Sequence, residues 1–340
     1  MKDLRYWTTN FRLENGATLP ELELAYVTHG TLAPDGRNAV LLTHGYTSSH
    51  HMVDGEDGPR TGEWGTLVGP GAPIDTDRFF VVASNMLGSS YGSTGPASVS
   101  PKTNRPHGPA FPDISLADIV AAQRAMLDAL GVRHLVAVVG PSYGGFQAFQ
   151  WAVSYPDFVD GIVPTITSPK SPRPASSLDE LVAYLARDPN WNGGDYYDRG
   201  GVLPTLTRLR VDTLRLYGIE QQLAAAFPDR AAREAEIQRQ AAAWAHVFDA
   251  NSLIVLRRAS NRFDVTGELG RIRAKLLYVL SRTDRIFPPA LAAEFMPQFK
   301  RAGIDAEYVE LDSELGHSCG PDEAPQWAPR LAAFMRRLGA

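Results

Sequence analysis

One stretch constrains this chain more than any other. An apolar run, His134–Val139, leads into Gly140-Pro141-Ser142-Tyr143-Gly144, and a helical pattern over Gly145–Tyr155 follows and stops at Pro156. A run apolar on both faces suits a strand buried inside a parallel sheet. Strand, tight turn and helix with G-x-S-x-G in the turn is the context in which that pattern marks a nucleophilic serine. The small flanking residues are needed because bulk at either side would collide with the adjoining strand and helix. The turn exposes the Ser142 hydroxyl at a helix N-terminus, where the dipole and unpaired N–H groups favour developing negative charge. The bland alternative is a glycine-rich turn with a structural serine.

The rest of the pattern is alternating strand and helix. Apolar runs at Leu24–Val27, Ala39–Thr43, Phe79–Ala83, Gly161–Thr165, Lys275–Leu280 and Ala306–Leu311 read as strands; Ile114–Leu130, capped by Asp113 or Ser115, Pro289–Ala302 and Trp327–Leu338 read as helices. Between Pro169 and about Gly267 strand-like runs are few, and Ser176–Ala186, Leu203–Tyr217, Ala231–Val247 and Ser252–Ser260 look helical. The expectation is an α/β fold, a mostly parallel doubly wound sheet with an inserted helical cap: core over 1–168 and 269–340, cap over 169–268. Two long irregular stretches, Gly45–Pro73 and Gly88–Pro112, read as loops of the kind that line a site.

A serine hydroxyl attacks only when a base takes its proton and a carboxylate orients that base. In this architecture the order is serine, acid, histidine. Asp284 lies four residues past Leu280, the end of the apolar run, and His317 lies just past the run ending in Leu311. Both fall at the strand ends that share an edge with Ser142. Asp312 is a rival acid, disfavoured because it sits close to His317 and still on its strand. The oxyanion donors expected are the backbone N–H groups of Tyr143 and of Tyr46, with Gly45 letting the loop turn inward.

Other features carry less. His50, His51, Asp54, Glu56 and Asp57 bear metal-capable side chains, but their spacing matches no zinc or calcium template, so no metal or other cofactor is expected. Trp191, Tyr196 and Tyr197 fit either a substrate pocket or the core of the cap. The one cysteine, Cys319, cannot form an internal disulfide. A formal charge of -5 gives no broad positive field for nucleic acid, and no apolar run is long enough to span a bilayer. The expectation is a cytoplasmic protein whose partner is a small-molecule ester rather than nucleic acid or membrane.

With these residues in place, the chain resembles the homoserine O-acetyltransferase-like family of the α/β-hydrolase superfamily. The likeness is carried by residues 68–101, by DPNWNGGDYY at 188–197, by FDANS at 248–252 and by DRIFPP at 284–289. It implies Ser142, Asp284 and His317 as the triad, a helical cap near residues 169–268, and a possible homodimer through that cap. Two departures weigh against homoserine. Leu206 stands where the family's G-L-x-x-A-R motif puts the arginine that holds the substrate carboxylate, with Arg208 or Arg210 as substitutes after a register shift. Ser318 stands where the family has an acid, after the catalytic histidine, for the substrate ammonium. Pro141 and Tyr143 also replace the family's glycine and methionine. An unpaired buried charge is costly, so these changes favour esters of an uncharged or weakly polar alcohol. The expected activity is serine carboxylester hydrolysis of short, acetyl-type esters; the alternative is acetyl-CoA-dependent O-acetyl transfer to homoserine or another alcohol by the same triad.

Overall fold

The computed structural model describes residues 3–54, 64–318 and 323–338. Eight strands form its main sheet: β1 Leu4–Arg12, β2 Thr18–His29, β3 Ala39–Thr43, β4 Phe80–Ser84, β5 Leu135–Pro141, β6 Val159–Thr165, β7 Lys275–Ser281 and β8 Ala306–Leu311. Their spatial order is β1-β2-β4-β3-β5-β6-β7-β8. The hairpin β1-β2 is antiparallel, β2 is antiparallel to β4, and every other pairing is parallel. All five residues of β3 are buried, as are the first six of β5. Such runs have no polar face, which is why they read as continuous apolar stretches.

Chain order and spatial order part company at β3. Its successor β4 pairs on one side and β5 on the other, so the loops leaving β3 and β5 run in opposite directions and open a crevice at the carboxyl ends of the strands. Helix α1, Leu116–Ala129, and helix α2, Tyr143–Ser154, pack together on the sheet. Ser115 begins α1 with a capping box: its hydroxyl accepts from the Asp118 amide, and Asp118 accepts from the Ser115 amide at 2.9 Å. Asp113, the other expected cap, instead meets Arg262 at 2.5 Å.

Between β6 and β7 every named element is helical: α3 Ser177–Leu185, α4 Leu203–Tyr217, α5 Ile219–Leu223, α6 Arg230–Ala245 and α7 Ala250–Asn261, with short 3-10 turns. This block carries its own apolar cluster, built on Leu185, Trp191, Leu206, Trp244, Phe248 and Leu253. Helices α8 Ala290–Arg301 and α9 Ala324–Leu338 complete the layers around the sheet. Among their described residues the two long loops are irregular apart from a 3-10 turn in each and the strand pairs Val68–Gly69 with Ile74–Asp75 and Val99–Ser100 with Arg105–Pro106. No helix of the described residues is long and apolar enough to cross a membrane.

Candidate active site

Ser142 stands between β5 and α2 with φ 54° and ψ −116°, a left-handed conformation that a residue with a side chain adopts only under constraint. The constraint is the close approach of the end of β3. A Cβ on Gly140 would lie 2.2 Å from Thr43 Oγ1, one on Gly144 would lie 2.1 Å from the Thr43 carbonyl oxygen, and one on Gly145 would lie 2.2 Å from Thr167 Cγ2. Real side chains never sit that close. Hydrogen bonds lock the turn: the Ser142 amide donates to the Thr165 carbonyl at 2.8 Å, and the Thr167 hydroxyl donates to the Ser142 carbonyl at 2.7 Å.

The structure brings together the three side chains singled out from the sequence. His317 Nε2 lies 3.0 Å from Ser142 Oγ, and His317 Nδ1 lies 2.8 Å from Asp284 Oδ2. The other Asp284 oxygen accepts from the amides of Ile286, at 2.8 Å, and Phe287, at 3.2 Å. Burial works to raise the Asp284 pKa, but the His317 ring and the two amides outweigh it and hold the carboxyl below its usual value. A carboxylate so placed fixes the imidazole with Nδ1 protonated and Nε2 free to accept. The rings of Tyr217 and Phe287 pack on His317 at 4.8 Å and 5.7 Å. Asp312, the rival acid, is exposed and paired with Arg282.

The loop after β3 is anchored from both sides. Below it, a buried row runs from Trp151 Nε1 to Gln123 at 2.8 Å, from Gln123 to Gln147 at 2.7 Å, and from Gln147 to the His44 carbonyl at 3.2 Å. Above it, Trp244 Nε1 donates to the Thr47 carbonyl at 3.0 Å, Arg210 donates to the Thr47 hydroxyl at 2.8 Å, and the Tyr46 hydroxyl donates to the Leu253 carbonyl. The Tyr46 and Tyr143 rings stack 5.9 Å apart, and the Tyr143 hydroxyl donates to the Leu256 carbonyl at 3.2 Å. The two residues expected to supply oxyanion amides are therefore both tied to α7. None of the glutamines has a sequence signal beyond lying on a buried helix face.

Two small chambers meet at Ser142 and share Tyr46, Tyr217 and His317. Their volumes are about 20 Å³ and 30 Å³. One is neutral, reaching Thr47, Met52 and Ile166; the other is walled by Phe146, Phe287 and two guanidinium groups, Arg173 and Arg257. The expectation of an uncharged alcohol did not account for those two cations. Leu206 packs in the core of the helical block, and neither Arg208 nor Arg210 lines a chamber: Arg208 is exposed, and Arg210 is buried against Thr47 with its guanidinium 4.8 Å over the Trp244 ring. Ser318 is buried beside His317.

Trp191, Tyr196 and Tyr197 are core rather than pocket. They stack in sequence, and both tyrosine hydroxyls donate to Asp249 Oδ2. Of the metal-capable loop residues, Glu56 and Asp57 lie outside the described residues, as does Cys319. His50 and His51 instead meet Asp3, with Nε2 to Oδ1 distances of 3.2 Å and 3.0 Å, and these three could hold a metal ion.

Comparison with known proteins follows the geometry. A family described as the alpha/beta hydrolase fold matches residues 38–323. A homoserine O-acetyltransferase of Haemophilus influenzae is 36% identical over 338 residues, covering 93% of each chain. The chain belongs to the homoserine O-acetyltransferase-like family of α/β hydrolases. Within this α/β-hydrolase family, the solved esterase E22 superposes with a TM-score of 0.89 at 27% identity, covering 98% of this chain and 99% of that one. A homoserine O-acetyltransferase of Bacillus anthracis gives 0.88 at 25% identity, covering 99% and 98%. Fold thus does not separate the two activities, while relatives such as the Haemophilus influenzae protein carry the transferase name and support transfer better than the expected hydrolysis.

Proposed function

We propose that this α/β hydrolase moves a short, acetyl-type acyl group through Ser142 and delivers it to the hydroxyl of a small acceptor. The observation that carries the reading is the hydrogen-bonded row Ser142–His317–Asp284 on a strained turn at the head of α2. His317 Nε2 takes the Ser142 proton as Oγ bonds to the donor's carbonyl carbon. Asp284 stabilises the imidazolium that forms. The Tyr46 and Tyr143 amides receive the oxyanion, the latter from the first turn of a helix whose N–H groups lack intrahelical acceptors. The tetrahedral centre collapses, the donor's C–O or C–S bond breaks, and His317 returns the proton to the leaving group. In the second half His317 deprotonates the acceptor hydroxyl, which attacks the acyl-serine and regenerates Ser142.

Hydrolysis is the second reading. It differs only in that water replaces the acceptor, and it is favoured by Leu206 and Ser318, which stand where the resemblance puts the charges that hold homoserine. The experiment is Ser142→Ala with acetyl esters and thioesters as donors: turnover falls to background in a protein that still folds. Turnover retained in the purified variant would rule out the serine mechanism.

A further inference from the structure

Two arginines line the chamber that holds Ser142, and among the described residues no carboxylate pairs with either. Arg173 comes from the loop after β6 and Arg257 from α7; Arg258 of α7 and Arg262 just past its end are differently placed, reaching Asp113 at 3.6 Å and 2.5 Å. Among the described residues neither Arg173 nor Arg257 makes an ion pair. Arg257 lies 5.2 Å over the Tyr46 ring and its Nη1 reaches the Ser177 carbonyl at a long 3.4 Å. Burial lowers the Arg173 pKa, and the positive charge of Arg257 adds to the shift. Asp284, the carboxylate of the site, is spent on His317 and the Ile286 and Phe287 amides.

Two partly buried like charges side by side are unfavourable until an anion joins them. Guanidinium forks suit a carboxylate in particular. Among the described residues neither chamber is lined by aspartate or glutamate, so an ammonium there would meet two cations and no described counter-ion. The phosphates of a coenzyme A donor are held away from the acyl carbon by the whole pantetheine arm, too far to enter a chamber that contains the nucleophile.

We propose that Arg173 and Arg257 bind a free carboxylate of the substrate, within a few bonds of the reacting carbonyl, on a half of the substrate that carries no ammonium. The proposal rests on the acyl-serine reading above. The carboxylate belongs either to the acyl group, as in a monoester of a short dicarboxylic acid, or to the alcohol, as in the acetyl ester of a hydroxy acid. In both, Ser142 Oγ bonds to the ester carbonyl, the ester C–O bond breaks, the leaving alkoxide takes its proton from His317, and the carboxylate passes through unchanged.

The test compares kcat/KM for ethyl acetate, monoethyl succinate, O-acetylglycolate and O-acetylhomoserine in the natural protein and in Arg173→Gln, Arg257→Gln, the double variant and Arg257→Lys. Fluorophosphonate labelling of Ser142 in each variant reports an intact site. One of the two amine-free anions is preferred over ethyl acetate, and which one assigns the carboxylate to acyl or alcohol. Each Arg→Gln change lowers that preference, mainly through KM, by on the order of 10- to 100-fold, and Arg257→Lys keeps part of it. Equal rates for neutral and anionic esters, a preference that survives in the labelled double variant, or O-acetylhomoserine as the best ester would each overturn the proposal. Failure of Ser142 to label, with no ester turned over, would instead overturn the acyl-serine reading and this inference with it.

Discussion

Ser142, His317 and Asp284 come from three strand ends, and the distances among them set what each substitution does. Asp284→Asn leaves a side chain of the same shape that can present an amide N–H to Nδ1, which favours the wrong imidazole tautomer; kcat falls by about 10⁴, measured on any ester the natural protein turns over. Acid sensitivity follows from two groups. The folded Asp284 titrates below its unfolded value, so its contribution is whole above that value and is lost as pH falls through the folded one. His44 is buried, which lowers its pKa from 6.5 to about 4, so the unfolded chain binds more protons between those values and stability is lost as pH falls from 6.5 towards 4. Urea midpoints are therefore lower at pH 5 than at pH 7, and His44→Gln flattens the difference; equal midpoints in the natural protein would contradict this. The triad was legible because the chemistry dictates residue type and chain order. Arg173 and Arg257 were not, since an arginine in a helical segment reads alike whether it faces solvent or a chamber.

Elements position the site through the loop after β3. Gln147→Leu removes the donor to the buried His44 carbonyl and the partner of Gln123, which costs roughly 1–3 kcal/mol in urea unfolding and lowers kcat more than it raises KM. Gly144→Ala forces a methyl into the Thr43 carbonyl and costs roughly 1–3 kcal/mol or prevents folding. Most elements were readable: Ala39–Thr43 and Leu203–Tyr217 coincide with the residues expected because burial leaves an unbroken or periodic apolar pattern, and Ala306–Leu311 coincides too although only Leu311 in it is buried. Strand β1 escaped because it lies at the sheet edge, with six of nine residues exposed, and its mixed polar sequence carries no core signal. The five-residue α5 is too short to show a period.

The whole molecule joins a sheet, whose crossing point positions Ser142, to a helical block that holds the loop after β3 from above through Trp244, Arg210 and Leu253. Whether the acyl-serine waits for an acceptor or loses its acyl group to water depends on how well that block excludes water. Trp244→Phe removes one tether of the loop and shifts the balance towards hydrolysis, measured as acetate released per acetyl transferred. The central claim is tested most directly by intact-mass and peptide mass spectrometry after brief exposure to an acetyl donor, followed by a chase with small hydroxyl acceptors. The account predicts one acetyl group on Ser142, none in Ser142→Ala, and faster loss of the adduct with an acceptor than in water alone. An acetyl group on any other residue, or turnover without a Ser142 adduct in a protein whose deacylation is slowed by cold quench, would contradict it.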